Sequence, residues 1–346
     1  MSQRKRFTEL DSMRGLAALI VVFYHYTVYY DEKFGHAQWG RIDLFTFGHY
    51  GVQLFFIISG FVIYMSLMKV KSVSDFAIKR SIRLYPAYMF SVALTFLVVS
   101  LAAAESLRTT FPEAMVNLTM LQDFIPAVKN VDGVYWTLRV EMTFYVIMAI
   151  LLPMGLARKT MPIAIIWLAA SAVIQLANTV LATDMTAFIE KYSMSNYSQM
   201  FIIGMMFYGI WQNGNHKKYF YMIGLAIGYD FIFEGVTNGL FSILFVILFQ
   251  LILMNRMQWL NSRILLFFGA ISYPLYLVHQ NIGYVIIYRM ESAGFLNISY
   301  ILVPFLASVL IAYGIHQYIE KPSQSVLLTM YKDRREGYLK HPLVKK

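Results

Sequence analysis

The chain of 346 residues contains no cysteine, and only 14% of its residues are charged. Without cysteine there is no disulfide, no thiolate metal site and no cysteine acyl-enzyme of the kind that palmitoylating enzymes form. The scarcity of charge accompanies a hydrophobic fraction of 58%, well above that of a soluble domain. Any chemistry therefore belongs to oxygen and nitrogen groups in a largely apolar protein.

Apolar residues form continuous runs instead of alternating with polar ones, which indicates transmembrane helices and not a barrel. We expect an all-α, polytopic helical bundle with about ten spans, or eight if the short seventh and eighth are removed as a pair. The predicted spans are Asp11–Tyr30, Gly48–Met68, Leu84–Ala104, Tyr135–Met154, Met161–Ala182, Asn196–Trp211, Tyr219–Phe233, Thr237–Met254, Ile264–Tyr288 and Ile298–Tyr318.

The net charge of +10 is distributed unevenly between alternate connections. If the N-terminus is inside, most basic residues fall in cytoplasmic connections and most acidic residues fall in extracytoplasmic ones. This is the positive-inside pattern of membrane proteins. It accounts for the charge without nucleic acid and predicts cytoplasmic termini in a cytoplasmic (inner) membrane. We expect one membrane domain over residues 1–346, with an uncleaved first helix and a short basic tail over 319–346.

The first span, "MRGLAALIVVFYHYTVYY", contains Arg14 and His25 although ionisable groups are costly in lipid. Eleven residues make three turns plus about 20°, so the two share a helix face about 16 Å apart. A buried neutral imidazole can accept a proton, which suits His25 to general-base chemistry. The alternative is a snorkelling arginine and a structural histidine. Before the span, "TELD" predicts a capping box that begins at Thr8.

Other spans carry polar groups at a similar predicted depth: Gln53, Glu141, Tyr276 and His279. Several such groups at one depth indicate a polar cavity. Tyr276 and His279 share a helix face just after Pro274, which can bend the helix. The alternative is a set of separate interhelical hydrogen bonds, especially for Gln53 and for Arg139.

A second basic cluster lies in "KRSIRLYP", where Arg80 and Arg83 are expected on one face of a short helix before Pro86. Paired guanidinium groups at a membrane surface suit phosphate. Positive-inside bias alone also explains these charges.

Taken in order, six motifs resemble those of the acyltransferase family 3 membrane proteins, which include bacterial O-antigen and exopolysaccharide O-acetyltransferases. The resemblance covers nearly the whole chain. The motifs are "LDSMRGLAALIVVFYH", "GVQLFFIISGF", "RSIRLYP", "WTLRVEM", "SYPLYLVH" and "YIEKP", the last with Glu320.

The resemblance implies transfer of an acyl group, commonly acetyl, from cytoplasmic acetyl-CoA to a hydroxyl of an extracytoplasmic acceptor. We expect that acceptor to be an envelope polysaccharide such as lipopolysaccharide O-antigen, or a glycolipid, with membrane lipid around the protein. The implied catalytic residues are His25, Glu141, Tyr276 and His279. Arg14, Arg80 and Arg83 are expected to hold the donor phosphates, and Gln53, Ser59 and Trp136 to line the substrate cavity.

In the implied mechanism His25 deprotonates the attacking hydroxyl while His279 or Tyr276 polarises the oxyanion, and Glu141 orients a histidine or holds the sugar. A transient acyl-enzyme on His25 stays open. Gln53 stands where many relatives carry an acid, so no proton transfer is expected there. Some relatives append an SGNH hydrolase-like domain, which is not expected here, so direct transfer is the simpler scheme. No metal is implied.

Two other classes compete with this interpretation. A transporter of a sugar or of a lipid-linked intermediate also fits polar groups within spans, although no duplicated halves are visible. A haem-binding pair formed by His25 and His279 predicts a Soret absorbance in the purified protein.

Overall fold

The computed structural model describes residues 7–36, 43–70, 72–102, 105–295 and 297–340, and every regular element in them is helical. The predicted all-α class is therefore confirmed. The α-helices are α1 (Thr8–Tyr24), α2 (Tyr30–Phe34), α3 (Gly51–Leu67), α4 (Val73–Leu101), α5 (Phe111–Asn117), α6 (Trp136–Leu151), α7 (Thr160–Leu181), α8 (Asp184–Ser193), α9 (Ser198–Asn213), α10 (Lys217–Tyr229), α11 (Val236–Leu253), α12 (Arg263–Ser292), α13 (Leu302–Ile315) and α14 (Lys321–Lys340).

Shorter helical segments connect or interrupt these helices. The π-helical turns are His25–Tyr29, Asp230–Glu234 and His316–Glu320. The 3-10 segments are Asp43–Tyr50, Glu105–Leu107, Gln122–Phe124, Gly133–Tyr135, Leu156–Arg158, Ser195–Tyr197, Gln258–Asn261 and Ile298–Ile301.

Six helical stretches of the described residues are long and apolar enough to cross a membrane: Asp43–Leu67, Val73–Leu101, Gly133–Leu151, Thr160–Leu181, Val236–Leu253 and Ile298–Arg335. The other four predicted spans fall in α1, α9, α10 and α12. Two of these helices are short, with 16 residues in α9 and 13 in α10. The total of ten spans and the cytoplasmic termini therefore stay predictions.

The capping box expected at Thr8 is wrong. The N-cap of α1 is Phe7, so Thr8 lies inside the helix and no side chain caps it. The Phe7 ring packs edge-on against Phe61 and Trp211, with centroid distances of 5.5 and 5.4 Å. An apolar anchor therefore sets where α1 begins.

The short helix expected to end before Pro86 is also wrong, because α4 continues through Pro86 for 29 residues. Proline removes one backbone donor and strains the preceding turn. Buried neighbours on both sides, Leu84, Ala87 and Tyr88, offset that cost through packing. Pro274 likewise lies inside the continuous α12.

The chain forms two compact units assembled from segments that are distant in sequence. Among the described residues, the first unit comprises 7–35, 43–70, 72–73 and 136–272. The second comprises 36, 74–102, 105–135, 273–295 and 297–340. The single domain expected over residues 1–346 stays a prediction.

In the first unit, α3 and α9 approach each other at glycines. A Cβ atom at Gly204 would collide with the Ile57 carbonyl, and one at Gly60 would collide with the Phe201 carbonyl. Small residues at such crossings let helix backbones pack closely in membranes. The closely packed α3–α9 pair therefore forms a rigid centre for the first unit.

In the second unit, a buried carboxylate fixes the middle of α12. Asp132 is fully buried and accepts hydrogen bonds from the backbone nitrogens of Asn281 (3.0 Å) and Val134 (3.2 Å). The Asn281 side chain donates to the Val131 carbonyl at 2.8 Å. A residue that the sequence places in an outer loop is thus a structural anchor for the "SYPLYLVH" helix.

Candidate functional site

His25 lies where the first helix changes its hydrogen-bond pattern. Regular α-helix ends at Tyr24, and His25 begins the π-helical turn that runs to Tyr29. Its Nδ1 is 2.9 Å from the Val21 carbonyl oxygen. A carbonyl can only accept, so Nδ1 donates and the lone pair of the neutral ring lies on Nε2. The half-buried imidazole is therefore arranged to take a proton through Nε2.

Two tyrosine rings pack against the His25 imidazole. The rings of Tyr24 and Tyr29 lie 5.3 and 5.5 Å from that of His25, centroid to centroid. The Thr27 hydroxyl donates to the Phe23 carbonyl at 2.6 Å. A side chain of the π-helical turn thus bonds a carbonyl at the end of α1. Such turns are frequent at functional sites.

Arg14 occupies the same helix as His25, and α1 is regular between them. The helical rise of about 1.5 Å per residue keeps their predicted separation of about 16 Å and their common face. Close packing fixes this part of α1, because a Cβ atom at Gly269 would collide with the Asp11 carbonyl. The helix carrying Arg14 and His25 is thus a rigid element of the first unit.

Ser59 and Glu141 meet in the first unit. The Glu141 carboxylate accepts a hydrogen bond from the Tyr145 hydroxyl at 2.6 Å and a longer one from the Ser59 hydroxyl at 3.4 Å. Tyr145 is one turn after Glu141 on α6, so most of the restraint on the carboxylate is local. The structure therefore brings together a predicted catalytic residue and a predicted cavity residue.

Gln53 and Trp136 have different surroundings within the same unit. Gln53 donates through Nε2 to Asn238 at 2.6 Å, while its buried Oε1 has no hydrogen-bond partner among the described residues. The Trp136 ring packs against Tyr197 at a centroid distance of 5.4 Å. Gln53 is therefore tied to α11, and Trp136 to the segment that follows α8.

Tyr276 and His279 lie close together on α12 in the second unit. Their ring centroids are 5.7 Å apart, and His279 is fully buried. The His279 Nδ1 lies 2.9 Å from the Tyr276 carbonyl and 3.1 Å from the Leu275 carbonyl. Nδ1 therefore donates, and in the neutral ring Nε2 accepts. In this tautomer the N–H of His279 is engaged by these carbonyls, and the Tyr276 hydroxyl makes a long hydrogen bond of 3.5 Å to the Val134 carbonyl.

Arg80 and Arg83 lie one turn apart on α4, also in the second unit. The Arg80 guanidinium stands over the Phe76 ring at 5.7 Å and is largely buried. The Arg83 carbonyl accepts from the Gln324 side chain of α14 at 3.2 Å. These contacts order the arginine-bearing turn, while the phosphate-binding role of both residues stays a prediction.

Sequence reasoning missed a cavity of about 260 Å³ in the first unit. It is formed by α6, by α8 and by the segment between α8 and α9, about 50 residues away from α6 along the chain. No periodic pattern connects these parts, so only the fold reveals the cavity. Its lining residues are Arg139, Ala187, Glu190, Lys191, Met194, Asn196 and Tyr197.

A carboxylate cluster at the π-helical turn Asp230–Glu234 of the same unit was also missed by the sequence analysis. Asp230 is fully buried and accepts from the side chains of Gln199 (2.7 Å) and Ser242 (2.5 Å). Glu234 accepts from Gln175 at 3.1 Å. The pKa of Glu234 is raised to about 7, mainly by burial and to a smaller extent by the negative charges of Asp230 and Glu190.

Candidate metal ligands are not grouped in the described residues, where no cluster of three or more His, Asp or Glu side chains occurs. The groups described above are instead proton carriers, hydrogen-bond donors and cations. These are the groups that acyl transfer between oxygen and sulfur can use.

Comparison with known proteins identifies the class of this chain. Residues 7–317 match the acyltransferase 3 family, described as an acyltransferase domain. The chain therefore belongs to this family of acyltransferases, and its long apolar helices make it a multi-pass membrane protein. The resemblance expected from the six motifs is confirmed.

Three relatives illustrate the range of this similarity. The putative acetyltransferase ORF330 of Acidianus two-tailed virus is 23% identical over 293 residues, covering 80% of this chain and 83% of the viral protein. Acyltransferase MdmB of Streptomyces mycarofaciens is 28% identical over 152 residues, covering 40% of this chain and 38% of that protein. Nodulation protein 10 of Rhizobium leguminosarum bv. viciae is 32% identical over 120 residues, covering 30% of this chain and 32% of that protein. No solved structure matches the chain significantly.

Proposed function

We propose that the protein transfers an acetyl group from acetyl-CoA, on the cytoplasmic side of the inner membrane, to a hydroxyl of an extracytoplasmic envelope polysaccharide or glycolipid. Membership of the acyltransferase family supports acyl transfer, and the name of the viral relative favours acetyl as the group. The observation that carries the proposal is the hydrogen bond from His25 Nδ1 to the Val21 carbonyl, which leaves Nε2 as the proton acceptor.

The reaction requires one proton to move twice. His25 Nε2 removes the proton of the acceptor hydroxyl as that oxygen attacks the thioester carbonyl carbon. The tetrahedral intermediate then collapses, the carbon–sulfur bond breaks, and the leaving thiolate takes the proton from the imidazolium. The products are an acetyl ester and free CoA, with no net proton released.

The position of Arg14 supplies a reason for placing a base on this helix. The donor carries its phosphates at one end and its thioester at the other, joined by an extended pantetheine arm. Arg14 and His25 share one face of a rigid helix, about 16 Å apart by helical rise. Arg14 binds a donor phosphate, and the same helix then presents the imidazole to the thioester.

Glu141 has a supporting role in the first unit. Its carboxylate is held by the Tyr145 hydroxyl, so it can hold an acceptor hydroxyl through its remaining lone pairs without reorganising. The roles predicted for Tyr276, Arg80 and Arg83 belong to the same proposal. For the oxyanion we assign Tyr276 in place of His279. The hydrogen bond from the Tyr276 hydroxyl to the Val134 carbonyl is long, at 3.5 Å, whereas shorter bonds to backbone carbonyls engage the only N–H of the neutral His279 ring.

The test uses purified full-length protein in lipid vesicles with acetyl-CoA labelled in its acetyl group and an extracted envelope polysaccharide as acceptor. Native protein should release CoA and move label to the polysaccharide. His25→Ala should abolish transfer, and Arg14→Ala should raise the KM for acetyl-CoA. Transfer that survives in His25→Ala would refute the assignment of the base. Solute uptake by the native protein without acetyl-CoA would instead favour a transporter.

A further inference from the structure

The cavity bounded by α6 and α8 is lined by groups of unusually mixed chemistry for its size. A cation (Arg139), a carboxylate (Glu190), a carboxamide (Asn196) and an aromatic ring (Tyr197) all face one space of about 260 Å³. That volume lies just below the range of about 300–1,000 Å³ typical of ligand pockets. It can enclose one small polar ring but not a chain of them.

The charged groups at this cavity are held in fixed positions. The Arg139 guanidinium donates to the Lys191 carbonyl, stands over the Tyr192 ring at 5.7 Å and is only 7% exposed. The Glu190 carboxylate accepts from Asn196 at 2.7 Å and from Asn178. Because these planar donors and acceptors are already ordered, they lose little side-chain entropy when a ligand binds.

The aromatic side of the cavity is continuous with the "WTLRVEM" motif. Tyr197 lines the cavity and packs against Trp136, which in turn contacts Phe56 at 6.5 Å. Trp136, Arg139 and Glu141 all lie within the first two turns of α6. The cavity therefore adjoins the helix whose carboxylate we assign to the acceptor hydroxyl.

We propose that this cavity binds one pyranose unit of the acceptor. A sugar hydroxyl both donates and accepts, so a guanidinium, a carboxylate and a carboxamide around one space can each bind a hydroxyl. An aromatic ring packs against the C–H face of a pyranose, which lacks polar groups. The inference rests on the proposed function, because it names the substrate class that the acetyl group is transferred to.

Ala187 provides a way to fill the cavity without altering any polar group. It lines the cavity, lies in the first turn of α8 and is exposed, so a larger side chain there need not disturb the buried core. Ala187→Phe should occupy the space of the ring, and Ala187→Ser is the matched control at the same position. Neither change touches His25, Arg14 or Glu141.

The first measurement detects binding without any acyl donor. Full-length protein in lipid nanodiscs is titrated with glucose, galactose, rhamnose and N-acetylglucosamine, with ligand-detected saturation-transfer NMR as the readout. At least one sugar should bind the native protein, Ala187→Phe should weaken it by about tenfold or more, and Ala187→Ser should stay within about twofold. Binding that is equal in the native and Ala187→Phe proteins would overturn the proposal. So would binding of no sugar, or displacement of the sugar by inorganic phosphate, which would show an anion site.

The second measurement separates this inference from the proposed function. In the vesicle assay, Ala187→Phe should raise the KM for the polysaccharide by about tenfold and leave the KM for acetyl-CoA within about twofold. Unchanged acceptor kinetics in Ala187→Phe would overturn the cavity assignment alone. Sugar binding without any label transfer by the native protein would refute the proposed function alone.

Discussion

Two kinds of helical geometry occur in the first unit, and they carry different residues. The α3–α9 pair is regular, packs backbone against backbone at Gly60 and Gly204, and buries apolar side chains. The π-helical turns interrupt longer helices, and those of the first unit begin at His25 and at Asp230. Regular packing supplies rigidity, whereas the two irregular turns hold His25, Asp230 and Glu234.

The difference follows from backbone hydrogen bonding. In a regular helix each carbonyl is engaged by a backbone N–H four residues later, whereas a π-helical turn shifts that pattern. At His25 the Val21 carbonyl accepts both the backbone N–H and the side-chain Nδ1. The His279 side chain makes the same contact with the Leu275 carbonyl inside the regular α12, so this hydrogen bond orients an imidazole in either geometry.

The largest effect that separates the two regions is expected at His25. His25→Ala should lower acyl transfer by about 10²–10⁴-fold, because a positioned general base contributes that much. The thermal midpoint should change little, because the ring is only half-buried. The matched control is His216→Ala, which removes an exposed histidine of the same unit. Equal losses in both variants would contradict a special role for His25.

The next largest effect is expected in the α3–α9 pair. Gly204→Ala should destabilise the protein by about 1–3 kcal/mol, because its new methyl group would collide with the Ile57 carbonyl. Gly224→Ala on α10 is the control, since a Cβ atom there meets no other atom within 4 Å. It should be neutral or stabilise by up to about 1 kcal/mol. Similar thermal midpoints for the two variants would show that α3 and α9 are not closely packed.

A smaller effect is expected from the hydroxyls that hold Glu141. Tyr145→Phe removes a 2.6 Å hydrogen bond to the carboxylate and should destabilise the protein by about 1–2 kcal/mol. Ser59→Ala removes a 3.4 Å hydrogen bond and should cost less than about 0.5 kcal/mol. Chemical denaturation of the two variants in the same detergent compares these costs. A larger loss for Ser59→Ala would reverse the assigned order.

A further expected effect, which depends on pH, lies at the second π-helical turn of the first unit. The raised pKa of Glu234, about 7 against an ordinary value of 4.5, means that the folded protein keeps a proton that the unfolded chain loses. Stability should therefore fall as pH rises between these two values. Glu234→Gln should remove this slope, with a higher thermal midpoint than native at pH 8 and little difference at pH 4.5.

The control for this pH experiment has the opposite sign. Hydrogen bonds from Thr110 and Lys129 lower the pKa of Glu113 below its ordinary value of 4.5. Its stabilisation is present above that value and is lost as pH falls through the lower folded pKa. Glu113→Gln should therefore reduce stability at neutral pH. A Glu234→Gln variant that behaved in the same way would rule out the burial of Glu234.

Much of the architecture could be predicted from the sequence, because few backbone structures satisfy their hydrogen bonds within lipid. Continuous apolar runs require helices, and all the described regular elements are helical. The six motifs identified the family, which the match over residues 7–317 confirms. Predictions from local sequence rules were less reliable. The helix α1 begins after Phe7, which packs against Phe61, and not with a capping box at Thr8. The helix α4 continues through Pro86 instead of ending before it.

The candidate site was predictable where it depends on a single helix. The spacing of Arg14 and His25 is set by helical periodicity, and so is the pairing of Tyr276 with His279. The cavity at Arg139 was not predictable, because α6 and α8 meet only through tertiary folding. Nor was the burial of Asp230 and Asp132, since a carboxylate looks the same in sequence whether it is solvated or hydrogen-bonded inside.

The most direct test of the central claim is the tautomer of His25. Full-length protein labelled with ¹⁵N at its histidines is compared with His25→Ala by solid-state NMR in lipid, and the signal lost in the variant is assigned to His25. The hydrogen bond to Val21 requires a neutral ring protonated at Nδ1, with Nε2 unprotonated. Observation of that tautomer at neutral pH would support Nε2 as the proton acceptor. A neutral ring protonated at Nε2 would contradict the account, because no lone pair would then be available there to begin the transfer.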